Sequence, residues 1–215
     1  MSQLRRSESV KKVIPSKMRK IIASTTAEVF KEAPHYHVTV KIEARGIFEQ
    51  AQKNEVKPVD VVIYHVARLL KEYELLNGYW QEDVIYLYDE VNVGYIVAVD
   101  DGMLVPVIRR ADELTIKEIY TKRRDFVSRT LAHKLLPDEY KGGTFTISNL
   151  GIFPVETFTG VLYKNQSGLL TLGRFTTEKP CKITLVCDHR LVDGYYAARF
   201  LTELKERLEK GEENT

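Results

Sequence analysis

The stretch CKITLVCDHRLVDGYYAARFL, residues 181–201, decides the fold because the periodicity of its apolar residues changes within one short segment. Its first part is apolar and β-branched, which is typical of a buried strand. From about Gly194 to Glu209 the pattern becomes helical. The apolar stripe of this helix comprises Ala197, Leu201, Leu204 and Leu208. The sequence therefore predicts a strand that passes directly into a helix, with His189 between them.

Caps and periodicity predict three earlier helices. The first begins after Pro15 with Ser16 as its N-cap. Its apolar stripe comprises Met18, Ile21, Ile22, Thr25 and Val29. The second extends from Pro58 to Leu76, with proline at its start. The third begins with the capping box Thr115–Glu118 and reaches about Leu135.

Seven segments have strand character, and they are HVTVKIEA, DVIYLYD, VNVGYIVAV, MLVPVI, TFTIS, GLLTLGRF and CKITLVCD. The turn DDGM between the third and the fourth segment indicates a hairpin. Because the strands do not alternate strictly with helices, we do not expect a doubly wound parallel sheet. The pattern predicts an α+β fold, with a mixed sheet covered by helices on one side.

The composition is that of a globular chain with one domain. Its 215 residues are enough to bury a core, and 44% are hydrophobic and 29% charged. The net charge is only +2, so no nucleic acid partner is expected. The apolar runs are too short to span a bilayer, so no membrane partner is expected. We divide the chain into a basic arm (1–12), a single domain (13–209) and a polar tail (210–215).

The two cysteines, Cys181 and Cys187, lie six residues apart in one predicted strand. Both side chains then lie on one face of the sheet, too far apart along the strand to form a disulfide. The N-terminus lacks the apolar stretch of a secretion signal. These features predict two reduced packing residues in a cytoplasmic protein.

His189 is the first candidate for chemistry because it ends an apolar strand. A histidine ordinarily titrates near neutrality, so it can take and return a proton within one reaction cycle. Asp193 follows four residues later, where it can orient the ring, anchor the loop or only cap the next helix. The HxxxD spacing is common. From spacing alone, His189 is either a catalytic base or a histidine that closes a strand.

The second candidate is GGTFTISNLGIF, residues 142–153. Ser148 and Asn149 end a predicted strand just before Gly151. A serine in that position can act as a nucleophile or donate a hydrogen bond to an oxyanion, although the GxSxG pattern of a nucleophile elbow is absent. The alternative is that both side chains only satisfy the backbone of a turn.

The other histidines give weaker signals. His35 and His37 share one face of a predicted strand, but no third ligand lies nearby, and we predict no metal site. His65 and His133 lie in predicted helices, where we expect structural roles.

Several segments together resemble the acyltransferase (E2) catalytic domain of 2-oxoacid dehydrogenase complexes, a family related to chloramphenicol acetyltransferase. They are DHRLVDG with ARFL, IPSKMRKIIA with APH, VNVGYIVAVDDGMLVPVIRRADELTIKEI, and GGTFTISNLGIF. The resemblance covers the chain from about Val13 to Leu208, with the motifs in the family's order. It implies a chloramphenicol acetyltransferase-like two-layer sandwich. It also implies a homotrimer with active sites between subunits.

The resemblance implies a reaction as well, the transfer of an acyl group between coenzyme A and a dihydrolipoyl thiol. His189 matches the general base and Ser148 matches the hydroxyl that binds the oxyanion, each from a different subunit. Asp193 stands where the family has Asp or Asn, so we assign it orientation and support. We assign Asn149, beside Ser148, to coenzyme A binding, and we expect no metal.

The sequence departs from the family pattern in three places. VETFTGVLYKNQSG replaces a Pro- and Asn-rich stretch, and TTEKP replaces a longer connection. Both lie between Ser148 and His189, where we expect them to reshape the channel entrance or the trimer contact. In the first helix, Ser24 and Val29 stand where the family has Arg and Ser near the coenzyme pocket. Coenzyme contacts from this helix are therefore unassigned.

The chain contains no lipoyl domain and no subunit-binding domain, so we expect another protein to supply the lipoyl group. The charged end KGEENT differs from the apolar tail with which family cores build shells, which predicts a free trimer. Two alternatives stay open. One is a chloramphenicol-type acetyltransferase with a small hydroxyl acceptor. The other is a non-catalytic scaffold, which has no need of His189, Asp193 and Ser148 together.

Overall fold

The computed structural model describes residues 10–210. Most of the basic arm and of the polar tail lies outside the described residues, so the division into arm, domain and tail stays a prediction. The helices are α1 (Lys17–Glu32), α2 (Arg45–Lys53), α3 (Pro58–Glu72), α4 (Ile116–Leu131) and α5 (Gly194–Lys210). The strands are β1 (His35–Ile42), β2 (Gly78–Gln81), β3 (Val84–Leu87), β4 (Val93–Tyr95), β5 (Val97–Val99), β6 (Gly102–Leu104), β7 (Val107–Ile108), β8 (Phe145–Asn149), β9 (Gly168–Leu172) and β10 (Cys181–Asp188).

Six of these strands form the central sheet in the order β1-β10-β9-β8-β4-β7. The β1–β10, β10–β9 and β4–β7 pairs are antiparallel, and the β9–β8 and β8–β4 pairs are parallel. Two hairpins, β2–β3 and β5–β6, stand outside this sheet. The prediction of a mixed sheet is confirmed.

The two faces of the sheet are covered unequally. One face packs on α2, α3 and α5 and forms the main apolar core, in which both free cysteines, Cys181 and Cys187, are buried. The opposite face carries a small core in which Val29 of α1 and Leu162 pack on the sheet. The helices therefore cover mainly one side, as in a two-layer sandwich. Within residues 10–210, no helix combines the length and apolar character needed to cross a bilayer.

Helix α1 begins where predicted, with the Ser16 side chain accepting from the backbone N–H of Arg19 at 3.0 Å. Its predicted apolar stripe is largely unburied, however, and only Val29 is fully covered within the chain. Ile21 is 56% exposed and Phe30 is 64% exposed. These exposed large apolar side chains offer surface for contact with another subunit.

Several element boundaries differ from the predictions. The segments VNVGYIVAV and MLVPVI each divide in two, because Pro106 has no N–H to continue the ladder between β6 and β7. Helices α3 and α4 end at Glu72 and Leu131, four residues before the predicted ends. His133 therefore lies outside α4, with φ of 54°, and its predicted helical position is wrong.

The pattern analysis did not find α2. This helix lacks a side-chain N-cap, and Gly46 in its first turn packs against the carbonyl oxygens of Leu208 and Glu209 in α5. A Cβ at Gly46 would lie only 2.6 Å from the Leu208 oxygen, so the close approach of the two helices requires glycine.

His65 in α3 is structural, as predicted, and it makes stability depend on pH. Its Nε2 lies 2.8 Å from Oε1 of the buried Gln50. Burial, aided by Arg207 and Arg68, lowers the pKa of His65 to about 4. In the unfolded chain the His65 imidazole takes up a proton near pH 6.5, whereas in the folded chain it stays neutral until the pH is much lower. The stabilisation from neutral His65 is complete above pH 6.5 and is lost as pH falls toward 4, by up to about 3 kcal/mol.

We expect the free energy of unfolding to decrease less between pH 7 and pH 4.5 in His65→Gln than in the wild type, as measured by urea titration. His37→Gln, on the exposed side of β1, is the matched control and should keep the wild-type dependence. An equal decrease in His65→Gln and in the wild type would contradict this assignment.

Candidate active site

His189 directly follows β10 at the end of the sheet. Its backbone N–H donates to the carbonyl oxygen of Pro34 at 3.0 Å, which ties it to the start of β1. The imidazole is exposed, and its centroid lies 4.4 Å from the ring centroid of Tyr36. Among residues 10–210 the imidazole nitrogens have no hydrogen-bond partner. Both nitrogens are therefore available to a reactant.

Two charged residues that flank His189 fix the turn around it. Arg190 forms a fork with Asp188, with Nη2 and Nε at 2.7 Å and 3.0 Å from the carboxylate oxygens. Asp188 is 2% exposed, and its backbone N–H donates to the carbonyl oxygen of Ser167 at 3.0 Å. We did not single out this pair from the sequence, although opposite charges two residues apart around His189 were a usable signal.

Removing the arginine of this fork should destabilise the fold. Arg190→Leu leaves the buried Asp188 carboxylate without its cation, which typically costs about 3–5 kcal/mol. The Lys179–Glu156 pair has side chains 63% and 57% exposed and provides the control, because Lys179→Leu should lower the free energy of unfolding far less. Urea unfolding measures both values. Equal losses in the free energy of unfolding for the two variants would show that the Arg190–Asp188 fork stabilises the fold no more than an exposed ion pair does.

Asp193 serves as the N-cap of α5. Its Oδ1 accepts from the backbone N–H of Tyr196 at 2.8 Å, and its own carbonyl oxygen accepts from Ala197. In the described part of the chain it makes no hydrogen bond to His189. Asp193 thus supports the loop that follows the histidine, while its orientation of the imidazole stays a prediction.

Ser148 is the second-last residue of β8, and its side chain lies on the face of the sheet opposite the main core. It borders a cavity of about 580 Å³ between α1, the β5–β6 hairpin and residues 158–163. The lining is mostly apolar and includes Ile21, Ile22, Ile96, Met103, Phe158 and Leu162. Ser148 is 8% exposed, and its hydroxyl has no hydrogen-bond partner within residues 10–210. A hydroxyl group is therefore free at the edge of an apolar cavity.

The cavity wall is electrically neutral. Its seventeen lining residues include no Asp, Glu, Lys, Arg or His side chain. Tyr163 is the one weak acid among them, and burial raises its pKa to about 12. In such surroundings a developing negative charge interacts more strongly with a fixed hydroxyl donor than it would in water.

A row of hydroxyl side chains crosses the sheet beside Ser148. Ser148 is in register with Thr171 of β9, which is in register with Thr184 of β10. Thr184 Oγ1 lies 2.9 Å from Thr157 Oγ1, and Thr171 Oγ1 donates to the carbonyl oxygen of Phe158 at 2.6 Å. These bonds hold one wall of the cavity to the sheet. A single threonine in each apolar strand was the sequence signal for this row, and we missed it.

The Asn149 side chain stabilises the turn that follows β8. Its Oδ1 accepts from the backbone N–H of Gly151 at 2.8 Å, which is the turn role that the sequence left open. It does not line the cavity beside Ser148. Its assignment to coenzyme A binding stays a prediction.

Within one chain, Ser148 and His189 are far apart. Ser148 is level with Thr184 across the sheet, and His189 follows Thr184 by five residues. At about 3.3 Å per residue, this places the two residues roughly 16 Å apart along the strand direction, and β9 lies between their two strands. The structure therefore does not bring Ser148 and His189 together within a single subunit.

The histidines considered as metal ligands have other positions. His35 Nδ1 lies 2.7 Å from the carbonyl oxygen of Ala33, and its Nε2 accepts from the backbone N–H of Leu162 at 3.0 Å. Both of its nitrogens are thus engaged, while His37 is exposed. Among residues 10–210, no group of three or more His, Cys, Asp or Glu side chains is arranged to hold a metal ion.

The fold is that of the chloramphenicol acetyltransferase class. Chloramphenicol acetyltransferase itself superposes with a TM-score of 0.61 at 16% sequence identity, covering 93% of this chain and all of that one. At this identity the likeness shows the fold alone.

The chain belongs to the family "2-oxoacid dehydrogenases acyltransferase (catalytic domain)", whose sequence profile matches residues 7–214. One relative is the dihydrolipoyllysine-residue acetyltransferase component of the mitochondrial pyruvate dehydrogenase complex of Schizosaccharomyces pombe. It is 40% identical over 90% of this chain and 45% of its own length. The resemblance seen in the sequence is thereby confirmed.

A truncated catalytic core of the 2-oxoacid dehydrogenase multienzyme complex from Thermoplasma acidophilum superposes with a TM-score of 0.87. It is 28% identical and is matched over 99% of its length and 94% of this chain. The chain spans about half the length of the curated relatives it matches. The likeness thus concerns the catalytic domain of those longer proteins.

Proposed function

We propose that this protein transfers an acyl group between coenzyme A and a dihydrolipoyl thiol. The observation that carries the proposal is the free Ser148 hydroxyl at the edge of a neutral, apolar cavity. Such a cavity fits the acyl thioester end of a long substrate, and the Ser148 hydroxyl, unpartnered within residues 10–210, fits its carbonyl oxygen. The name of the Schizosaccharomyces pombe relative supports the choice of a dihydrolipoyl acceptor.

In the proposed reaction, one imidazole nitrogen of His189 removes the proton from the attacking thiol. The sulfur then forms a bond to the thioester carbonyl carbon, and negative charge develops on the carbonyl oxygen. Ser148 donates a hydrogen bond to that oxygen, which stabilises the transition state more than the ground state. When the intermediate collapses, the carbon bond to the departing sulfur breaks, and the imidazolium returns its proton to the thiolate.

This chemistry requires a second copy of the chain. Because about 16 Å separates Ser148 from His189 along the strands, a thioester at Ser148 needs the histidine of another subunit. The exposed apolar residues Ile14, Ile21 and Phe30 supply surface for such an interface. We propose a homotrimer with active sites between subunits. Its assembly as a free trimer is testable by sizing chromatography, and a megadalton particle would contradict it.

Three finer assignments belong to the same proposal. Asp193 supports the His189 loop through its cap on α5. Asn149 contributes to coenzyme A binding, and α1 offers no arginine to the coenzyme around Ser24 and Val29. We place the protein in the cytoplasm, supported by two buried free thiols, although the Schizosaccharomyces pombe relative is mitochondrial.

An acceptor panel tests the proposal. Acetyl-CoA is incubated with dihydrolipoamide, a free lipoyl domain or small hydroxyl compounds, and the release of coenzyme A thiol is followed. We expect turnover with the two dithiol acceptors for the wild type and none above background for His189→Ala. Turnover only with hydroxyl acceptors would replace the proposal with a chloramphenicol-type acetyltransferase. Equal background rates for both proteins with every acceptor would favour the scaffold.

A further inference from the structure

The imidazole of His189 rests against one side chain from a neighbouring strand. The ring of Tyr36 lies at a centroid distance of 4.4 Å and an interplanar angle of 43°. In the β1–β10 ladder Tyr36 is directly opposite Cys187, two residues before His189. Side chains two apart on a strand share a face, so Tyr36 and His189 are diagonal neighbours on the same face of the sheet.

The ring of Tyr36, and not its hydroxyl, is suited to this contact. The hydroxyl is buried beside the Cys187 thiol and, in the part of the chain that the structure describes, has no hydrogen-bond partner of good geometry. A buried phenol without a partner is costly, so phenylalanine would suit the packing at least as well. The aromatic ring, in contrast, packs directly against the imidazole.

Two groups on the sheet side of the contact, the Tyr36 hydroxyl and the Cys187 thiol, are uncharged. Burial, with smaller contributions from Cys187 and Asp193, raises the pKa of Tyr36 far above its usual range. Burial likewise raises the pKa of the Cys187 thiol to about 12. Both groups are therefore neutral at physiological pH. The Asp193 carboxylate, whose charge contributes to the raised pKa of Tyr36, is engaged in capping α5.

The start of β1 also holds the backbone of His189. The hydrogen bond from the His189 N–H to the Pro34 carbonyl oxygen places the backbone, and Tyr36, two residues later, places the ring. Among residues 10–210 the imidazole nitrogens make no hydrogen bond that would fix the ring instead. The start of β1 thus contributes one contact to the backbone of His189 and one to its ring.

We propose that Tyr36 is a positioning residue for His189, whose aromatic face holds the imidazole in the orientation needed for proton transfer. The inference rests on the proposed acyltransferase function for its effect on rate. Misplacement of a catalytic group by as little as 1 Å can lower rates by about a hundredfold. Because Tyr36 does not reach the cavity at Ser148, its loss should affect kcat and leave substrate binding unchanged.

The test compares Tyr36→Phe and Tyr36→Leu with the wild type, using acetyl-CoA and dihydrolipoamide. We expect Tyr36→Phe to keep kcat within about twofold, and Tyr36→Leu to lower kcat about tenfold or more with KM unchanged. Val38→Ala, on the same face of β1 and packed on the same core, is the control and should keep its kcat. A leucine variant with normal kcat, or a phenylalanine variant as slow as leucine, would overturn the proposal.

A second readout does not depend on turnover. Diethyl pyrocarbonate modifies unprotonated imidazole, and peptide mapping gives the rate at each histidine. We expect His189 to react several times faster in Tyr36→Leu than in the wild type, with the exposed His37 as the internal reference. An unchanged His189 rate would contradict positioning by Tyr36. If the wild type shows no turnover, the proposed function fails, and this measurement still decides the role of Tyr36.

Discussion

Replacing His189 with alanine is expected to lower kcat for acyl transfer by about a thousandfold. A positioned general base typically contributes a factor of about 10² to 10⁴, because the attacking thiol otherwise has to lose its proton to water. The imidazole is exposed and unbonded among the described residues, so its loss leaves no buried group without a partner. The free energy of unfolding should therefore change little.

Steady-state kinetics with acetyl-CoA and dihydrolipoamide measure this effect. His37→Ala removes an exposed histidine from β1, two residues after His35, and should keep the wild-type kcat. The proposed role of His189 requires a large loss of kcat in His189→Ala and no loss in His37→Ala. A His189→Ala protein that retained a tenth of the wild-type rate would remove the histidine from the proton transfer.

Replacing Ser148 with alanine is expected to lower kcat by about a hundredfold to a thousandfold, with KM nearly unchanged. The loss of one oxyanion donor has this typical effect. Negative charge appears on the carbonyl oxygen only near the transition state, so the hydroxyl contributes little to binding of the ground state. The neutral lining of the cavity strengthens the single hydrogen bond that Ser148 supplies.

Thr26 provides the control for this prediction because its side chain borders the same cavity from α1. Thr26→Ala should keep kcat within about threefold of the wild type, since only the hydroxyl at the end of β8 is assigned to the oxyanion. If Ser148→Ala raised KM and left kcat unchanged, Ser148 would bind the ground state and would not act on the oxyanion.

The sequence predicted those parts of the fold that depend on local signals. The Ser16 cap, the Thr115–Glu118 capping box and the β5–β6 turn are each determined by residues a few positions apart. Helix α2 was missed because its start depends on the contact of Gly46 with a helix more than 160 residues away in the chain. Helix α1 carries the predicted stripe, but within one subunit only Val29 of that stripe is fully buried and Ile21 is exposed.

The candidate site was predictable in its reactive groups and not in their surroundings. The positions of His189 and Ser148 followed from strand-end motifs. The ring contact of Tyr36 and the hydroxyl row at Thr171 and Thr184 depend on the register of β1, β10 and β9. Register is determined by long-range pairing, which one sequence read locally does not reveal.

The most direct test of the account is activity in trimers that mix the two inactive variants. Ser148→Ala and His189→Ala chains with different affinity tags are coexpressed, and trimers carrying both tags are purified. If each site combines Ser148 of one subunit with His189 of the next, every doubly tagged trimer has one intact site in three and should show about one third of the wild-type activity. Separately purified and then combined homotrimers serve as the control. Doubly tagged trimers with no more activity than either variant alone would contradict a site shared between subunits.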